Sequence, residues 1–323
     1  MSARIRVLGA GVAGLAAALE LARAGARVEV IERSEAPGRQ AAGWFAGGML
    51  APHCERVHAK PLVAELGRQA PDWWRAQVPA TVRAGTLVVA APRDRAELDP
   101  YLQRGDGGSA LDEAGVAALE PELAGRFRHG VFFADEAHVD PRLALPALAE
   151  RLAERDVAIR YGCDADSLAD DGGIVLDCRG YGARAAVPEL RGVRGEMLLL
   201  ESRELHFSRP IRLLHARGMV YLVPRGEGLY MLGGTAIESD DAGPIRARAA
   251  MELLNGAWAL HPALAEARIV ELGVGIRPAL PDNLPRLWQR DGRWHLNGLF
   301  RHGFLLAPAM AKQAVASLLG REA

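Results

Sequence analysis

The sequence predicts a composite α/β protein, in which a Rossmann-like nucleotide-binding domain is interleaved with a domain built on an antiparallel β-sheet. Two observations indicate this class. The chain opens with a strand, a glycine-rich turn, a helix and a second strand, whereas residues 193–235 are dominated by short strands joined by turns. Buried-type strands return near the C-terminus, so we expect the chain to leave the first domain and re-enter it.

The first 32 residues fit the pattern of a dinucleotide-binding unit. A strand at 4–8 runs into a turn with Gly9, Gly11 and Gly14, an apolar helix follows, and a second strand leads to Glu32. Gly9 allows a tight turn, Gly11 lets a pyrophosphate approach the backbone, and Gly14 lets the helix pack on the strand. The helix N-terminus offers free N–H groups to phosphates. Glu32, 18 residues after Gly14, is placed to accept hydrogen bonds from ribose hydroxyls.

Two alternatives to this interpretation stay open. The glycines can form an ordinary strand-to-helix turn that binds no ligand. Arg33, beside the acid, keeps NADP as an alternative ligand, since an arginine there can bind a ribose 2′-phosphate. Because a carboxylate at Glu32 would repel a ribose 2′-phosphate, we interpret Arg33 as a solvated turn residue.

Composition argues against several function classes. The 323 residues are 50% hydrophobic and 24% charged, with a formal net charge of −1, which gives no electrostatic case for binding nucleic acid or an anionic membrane. Cys54, Cys163 and Cys178 lack metal-ligand spacing, so no metal site is expected. We expect reduced thiols in a cytoplasmic protein, because neither a signal-peptide pattern nor a membrane-length apolar stretch is present.

The segment 39–52 is a second candidate for ligand contact. It is rich in small residues, with adjacent glycines at Gly47 and Gly48, and it also carries bulky apolar side chains such as Trp44 and Met49. Such side chains are poorly suited to a solvated loop, so we expect the backbone there to lie against a bulky ligand. A flexible loop is the alternative.

Periodicity and turn signals predict the remaining elements. Helices are expected at 62–77, 116–121, 141–155, 245–260 and 308–319. Strands are expected at 85–90, 130–133, 157–161, 173–178, 197–200, 220–223, 229–232, 270–276 and 294–297. We assign residues 1–75, 138–192 and 270–323 to the nucleotide-binding domain, and residues 76–137 and 193–269 to a substrate-binding domain.

Several segments, taken in order, resemble those of one known family. They are the N-terminal glycine turn, 46–52, 139–141, Arg194-Gly195-Glu196, 220–225, 275–278 and 301–308. Together they resemble the D-amino-acid oxidase superfamily of FAD enzymes, and within it the glycine oxidase branch of thiamine biosynthesis, the ThiO type. The Gly-Met-Leu-Ala-Pro and Phe-Leu-Leu-Ala-Pro stretches are the parts most specific to that branch.

The resemblance implies a non-covalent FAD. Its diphosphate would lie on the glycine turn, its adenosine ribose on Glu32, and its flavin ring against the segment with Gly47 and Gly48. The start of the last helix would place N–H groups near the pyrimidine end of the ring. The predicted cofactor-binding residues are Gly9, Gly11, Val12, Ala13, Gly14, Glu32, Arg33, Arg39, Gly47, Gly48, Met49, Gly303, Phe304, Leu305 and Leu306.

The resemblance also implies a substrate site. The family holds the substrate carboxylate with the arginine of a Gly-x-Arg-Pro motif and with a tyrosine of the antiparallel sheet, which correspond to Arg277 and Tyr221. A guanidinium fork suits a carboxylate, and a phenol adds one directional hydrogen bond. A surface arginine and a core tyrosine are the alternatives. Arg301 either lines the site or forms a structural ion pair, and no family role is carried over to His302.

The predicted reaction is therefore the oxidative deamination of glycine or another small amino acid, with oxygen as acceptor and hydrogen peroxide as product, in support of thiamine thiazole synthesis. An oxidase or dehydrogenase for sarcosine, D-proline or other D-amino acids is one alternative. An NAD(P)-linked dehydrogenase or a non-catalytic nucleotide-binding protein is another. A homo-oligomer stays open, since the pair Trp73 and Trp74 can mark an interface, a lid or a core contact. Cys54 is either a reactive thiol or, as we prefer, an inert buried one.

Overall fold

A computed structural model describes residues 3–36, 38, 40–167, 172–215 and 218–320. Its strands, numbered in chain order, are β1 Arg4–Leu8, β2 Arg27–Ile31, β3 Met49–Leu50, β4 Thr86–Ala90, β5 Ser109–Asp112, β6 His129–Phe133, β7 Ala137–His138, β8 Ala158–Arg160, β9 Ile174–Asp177, β10 Arg191–Glu201, β11 Ile211–Leu214, β12 Val220–Gly226, β13 Leu229–Gly233, β14 Ile237–Glu238, β15 Arg268–Ala279, β16 Arg286–Arg290 and β17 Arg293–Asn297. Its α-helices are α1 Val12–Arg23, α2 Pro52–Glu55, α3 Pro61–Gly67, α4 Ala70–Gln77, α5 Asp99–Arg104, α6 Glu113–Leu119, α7 Pro141–Ala153, α8 Ala247–Leu260 and α9 Gly303–Leu319.

The first sheet contains the N-terminal unit. Its strand order is β16-β17-β9-β1-β2-β8, and every neighbouring pair is parallel except β16 with β17. Helix α1 packs against α7 and α9, and its apolar face, with Leu15 and Leu19, is fully buried. The predicted strand–turn–helix–strand unit and the Rossmann-like fold class are therefore confirmed.

The second sheet is larger and mostly antiparallel. Its strand order is β14-β10-β13-β12-β11-β4-β6-β5, and β15 pairs with β10 along its full length. Strands β4 and β11 are parallel, which departs from the purely antiparallel sheet expected. Helix α8 buries Leu253 and Leu260 against this sheet, in a core separate from that of the first sheet. The mixed α/β class is thus confirmed.

Strand β15 belongs by its pairing to the second sheet, because Arg191–Glu201 is its hydrogen-bonded partner. Residues 270–279, which we assigned to the nucleotide-binding domain, are therefore continuous with the larger sheet. The other proposed domain limits stay predictions.

The last helix begins at Gly303, earlier than the predicted 308, and Pro308 lies inside it. A proline within a helix leaves the carbonyl four residues earlier without its usual N–H donor. Here that carbonyl belongs to Phe304, and it accepts a 2.7 Å hydrogen bond from the indole Nε1 of Trp74. A side chain from α4 thus replaces the missing backbone donor.

The pair Trp73 and Trp74 is a core contact, since the two side chains are 8% and 0% exposed. The expected single helix at 62–77 is divided into α3 and α4. Gly67 ends α3 at a close approach to α9, because a Cβ at this glycine would lie 2.7 Å from side-chain atoms of Leu305.

Candidate active site

A cavity of about 950 Å³ is lined by residues from both sheets. Its wall includes the glycine turn before α1, the segment around Gly47, strands β10 and β15, and the start of α9. This volume lies at the upper end of the range of about 300–1,000 Å³ that is usual for ligand sites. Most of the residues predicted from the sequence meet in this one place.

At one end of the cavity, the glycine turn has the features expected for phosphate binding. Gly9 has φ +96°, and a Cβ at Gly14 would lie 1.9 Å from the carbonyl oxygen of Gly9, so α1 can pack here only without a side chain. A Cβ at Gly11 would meet no described atom within 4 Å, which leaves the backbone open to the cavity. Among the described residues no side chain caps α1, whose first N–H groups are thus available to an anion.

Glu32 lies beside this turn with its carboxylate held by backbone groups. One oxygen accepts a hydrogen bond from the N–H of Ala10 at 2.7 Å, and the other accepts from the N–H of Ser34 at 2.9 Å. The Ser34 hydroxyl also donates to this second oxygen at 3.0 Å. Since a carboxylate has about four acceptor positions, one position is left for a ribose hydroxyl. Arg33 is exposed on the rim of the cavity, and Arg39 lies outside the described residues.

The segment with Gly47, Gly48 and Met49 also lines the cavity. Gly48 has φ +64°, and a Cβ there would lie 1.9 Å from the carbonyl oxygen of Val139, so only glycine fits. The buried Arg225 donates through Nη2 to the carbonyl oxygens of Ala46 and Gly47, at 2.9 and 3.0 Å. This arginine fixes the path of the segment.

Of the predicted cofactor residues that the structure describes, two do not lie in the cavity wall. Gly14 and Leu306 are buried in the protein interior, where Gly14 permits close packing and Leu306 contributes to the first core. Val12, Ala13, Gly303, Phe304 and Leu305 do line the cavity.

Arg277, Tyr221 and Arg301 all line the same cavity. The guanidinium of Arg277 donates through Nη1 to the carbonyl oxygen of Thr235 at 2.8 Å, and burial lowers its pKa. Tyr221 is only 8% exposed and packs against Gly233 and Gly47. Arg301 is exposed on the cavity wall, and its charge helps to lower the pKa of Glu55.

A buried ion cluster at the cavity wall was not predicted from the sequence. Glu55 accepts from Arg212 Nη2 at 2.6 Å and lies 2.9 Å from Nε2 of His302. Burial alone would raise the pKa of Glu55, but Arg212 and the hydrogen bond with His302 outweigh it and hold this pKa well below its ordinary value. Because Glu55 and His302 line the cavity, they place a charged network beside it.

Cys54 is an inert thiol by its surroundings. It is fully buried, and burial raises its pKa well above the ordinary value, so the thiolate is suppressed at neutral pH. The residues that the structure covers contain no group of three or more His, Cys, Asp or Glu side chains suited to a metal ion. No helix in that part of the chain has the length and apolarity needed to cross a membrane.

The fold and the cavity together define an α/β protein of the dinucleotide-binding class. Comparisons with known proteins are more specific, because a sequence profile described as FAD dependent oxidoreductase matches residues 4–317. The chain is 55% identical over 317 residues to a Rhizobium etli protein named as a thiamine biosynthesis oxidoreductase, ThiO, with 98% of this chain and 96% of that protein covered. The chain belongs to the FAD dependent oxidoreductase family, which confirms the resemblance.

Two further comparisons concern proteins named as glycine oxidases. The Pseudomonas aeruginosa glycine oxidase is 28% identical over 374 residues, with 100% of this chain and 96% of that protein covered. The solved structure of glycine oxidase from Geobacillus kaustophilus matches with a TM-score of 0.80 at 23% identity, covering 100% of this chain and 96% of that one. This structural likeness establishes the fold.

The residues of the cavity fit FAD, the cofactor of the family. The uncapped N-terminus of α1 and the open backbone at Gly11 suit a diphosphate, the Glu32 carboxylate suits a ribose, and the volume is sufficient for an extended ligand. Family membership also removes the alternative of an NAD(P)-linked dehydrogenase.

Proposed function

We propose that this protein catalyses the oxidative deamination of glycine or another small amino acid, in the cytoplasm and in support of thiamine thiazole synthesis. In this reaction glycine, water and oxygen give glyoxylate, ammonia and hydrogen peroxide. The observation that carries the proposal is that Arg277 and Tyr221 lie on the wall of the cavity that also contains the glycine turn and Gly47. The names of the Rhizobium etli and Pseudomonas aeruginosa relatives support it.

The proposed roles follow from the chemistry of the side chains. The Arg277 guanidinium binds the substrate carboxylate and the Tyr221 hydroxyl donates a further hydrogen bond to it, so that the α-carbon faces the cofactor. Held by the glycine turn and Glu32, FAD would supply the redox chemistry, as the acceptor of a hydride from the α-carbon and the donor of electrons to oxygen. Since this chemistry needs no side-chain base when the amine arrives neutral, the protein contributes mainly alignment and exclusion of water.

Tyr221 is only slightly exposed and Arg277 is half-buried, and both features support this assignment. A carboxylate that enters the site loses water and meets a cation that is itself poorly solvated, which makes their hydrogen bonds stronger than at an exposed surface.

The visible spectrum of the purified protein, before and after anaerobic addition of glycine, tests the proposal. A flavin spectrum that glycine bleaches is the expected result, and peroxide release on return of oxygen should follow. A flavin spectrum unchanged by glycine but bleached by sarcosine, D-proline or D-alanine would replace glycine with that substrate. No bleaching by any of these amines would overturn the proposed function.

A further inference from the structure

Arg277 rests on a buried hydrogen-bonded network that the Arg194-Gly195-Glu196 motif supplies. We propose that Gly195, Glu196 and Thr235 are positioning residues, which hold the Arg277 guanidinium in the orientation that binds a substrate carboxylate. This inference depends on the proposed function, because it assumes that Arg277 binds that carboxylate.

Gly195 provides the space in which the guanidinium lies. A Cβ at this position would be 2.2 Å from Nη2, 2.3 Å from Cζ and 2.6 Å from Nη1 of Arg277. These are the three nearest atoms, and all belong to the end of one flexible side chain. The cross-strand register pairs Gly195 with Gly275 and Val193 with Arg277, so the arginine leans back along β15 to cover the glycine.

Thr235 fixes the other side of the guanidinium. Its carbonyl oxygen accepts from Nη1 of Arg277 at 2.8 Å, and its hydroxyl donates to Oε2 of Glu196 at 3.0 Å. The same hydroxyl oxygen accepts from the N–H of Glu196 at 3.0 Å. The threonine therefore joins the carboxylate of Glu196 to the backbone carbonyl that orients Arg277.

Glu196 is anchored in turn by the fully buried Arg194. Arg194 donates to Oε1 of Glu196 through Nε at 3.0 Å and through Nη2 at 2.8 Å. Its remaining donors bind the carbonyl oxygens of Asp241, Gly243 and Pro244, and thereby hold the segment after β14. The carboxylate that binds the Thr235 hydroxyl is thus itself fixed by a neighbouring residue of β10.

This arrangement fits a role in orientation better than a role in packing alone. Glu196 itself lines the cavity although it is only 1% exposed, and a buried carboxylate is costly unless it is paired. The pair with Arg194 neutralises it, so that the Glu196 charge orients Thr235 without competing with a substrate carboxylate for Arg277.

Two substitutions test the proposal in the FAD-loaded protein, with acetate as a carboxylate probe whose binding is followed by the flavin absorbance. Gly195→Ala should displace the guanidinium and raise the Kd for acetate about 100-fold. Thr235→Val should raise the Kd for acetate about tenfold, which corresponds to the loss of one hydrogen bond. Thr235→Ser should bind acetate as the wild type does, because serine keeps the hydroxyl. In kinetics with glycine, KM should rise more than kcat falls.

Glu120→Gln is the matched control, because Glu120 is a buried carboxylate that follows α6, accepts from Ser208 and Arg209, and does not line the cavity. Its Kd for acetate should equal that of the wild type. Acetate binding by Thr235→Val within about twofold of the wild type would overturn the positioning role. If Gly195→Ala fails to fold, the two Thr235 variants decide. A wild-type protein that binds neither acetate nor glycine would overturn the proposed function, and this inference with it.

Discussion

Arg277 is the residue on which carboxylate recognition depends, and its shape as well as its charge should matter. Arg277→Lys keeps the positive charge but loses the planar fork that matches a carboxylate and the bond to Thr235. We expect KM for glycine to rise about 10–100-fold with FAD retained, as measured by steady-state kinetics and the flavin spectrum. Arg126→Lys is the control, because Arg126 also donates to backbone carbonyls but lies outside the cavity wall. An unchanged KM in Arg277→Lys would contradict the assignment.

The three cysteines should differ in reactivity according to burial. Cys163 and Cys178 both line the cavity, but Cys163 is half-buried, whereas Cys178, like Cys54, is buried. Burial raises the pKa of the Cys54 and Cys178 thiols. In the native protein without FAD we expect a disulfide reagent such as DTNB to label one thiol, and FAD to slow that labelling. Cys163→Ser should abolish it. Fast labelling of the Cys163→Ser protein would show that this account of the buried thiols is wrong.

The role of a single residue could be predicted where it depends on the neighbouring sequence and not on distant parts of the chain. Gly9 and Gly48 have positive φ angles. The sequence predicts a tight turn at Gly9 and backbone close to a ligand at Gly48, so in both cases the residue type already indicated an unusual backbone. The pairing of Glu55 with Arg212 and His302 could not be predicted, because the partners are 157 and 247 residues away along the chain. Glu196 belongs to the Arg194-Gly195-Glu196 motif of the sequence, but only the register of β10 with β15 brings this motif beside the strand that carries Arg277.

At the level of elements, Arg225 links β12 to the segment before β3. It donates to two carbonyl oxygens there, and its Nε lies 3.8 Å from Oδ1 of Asp140, which caps α7. Burial lowers the pKa of Arg225 to about 10, so the side chain remains charged at neutral pH. Arg225→Met would leave Asp140 and both carbonyls without this partner.

We expect Arg225→Met to raise the Kd for FAD about tenfold or more and to lower the free energy of unfolding by about 3–5 kcal/mol. Flavin fluorescence and urea denaturation measure the two quantities. Arg209→Met provides the comparison, because Arg209 also joins a carboxylate to backbone carbonyls but lies away from the cavity. It should lower stability and leave the Kd for FAD unchanged. Equal effects of both variants on that Kd would argue that Arg225 has only a general structural role.

Elements were predictable where hydrophobic periodicity is undisturbed and not where a tertiary contact overrides a local signal. The unit β1–α1–β2 follows directly from its pattern. The start of α9 was missed because Pro308 is ordinarily a helix-start residue, and the sequence gives no sign that Trp74 will satisfy the carbonyl that this proline leaves free. The strands β11 and β16 are short and contain charged residues, so periodicity alone did not single them out.

For the whole molecule, stability against pH depends on buried groups whose pKa values are shifted in opposite senses. Burial lowers the pKa of His138 from 6.5 to about 3. The contribution of His138 to the free energy of unfolding is therefore fully present above pH 6.5 and is lost as the pH falls toward 3. Burial raises the pKa of Glu136 from 4.5 to about 7. Its contribution is therefore fully present below pH 4.5 and is lost as the pH rises through 7, because the unfolded chain ionises more easily.

The alkaline side of this profile can be isolated with Glu136→Gln. The amide is neutral at every pH and its carbonyl can still accept from the N–H of Cys54, as the Glu136 carboxyl does at 2.7 Å. Urea denaturation at pH 5, 6, 7 and 8 should show that the wild type loses stability relative to the variant as the pH rises, by at most about 3 kcal/mol between the extremes. At pH 5 most of the wild-type Glu136 is already neutral in the folded state, so that measurement serves as the internal reference. Parallel stability curves across this range would mean that Glu136 is ionised in the folded protein, with Arg212 rather than burial setting its charge.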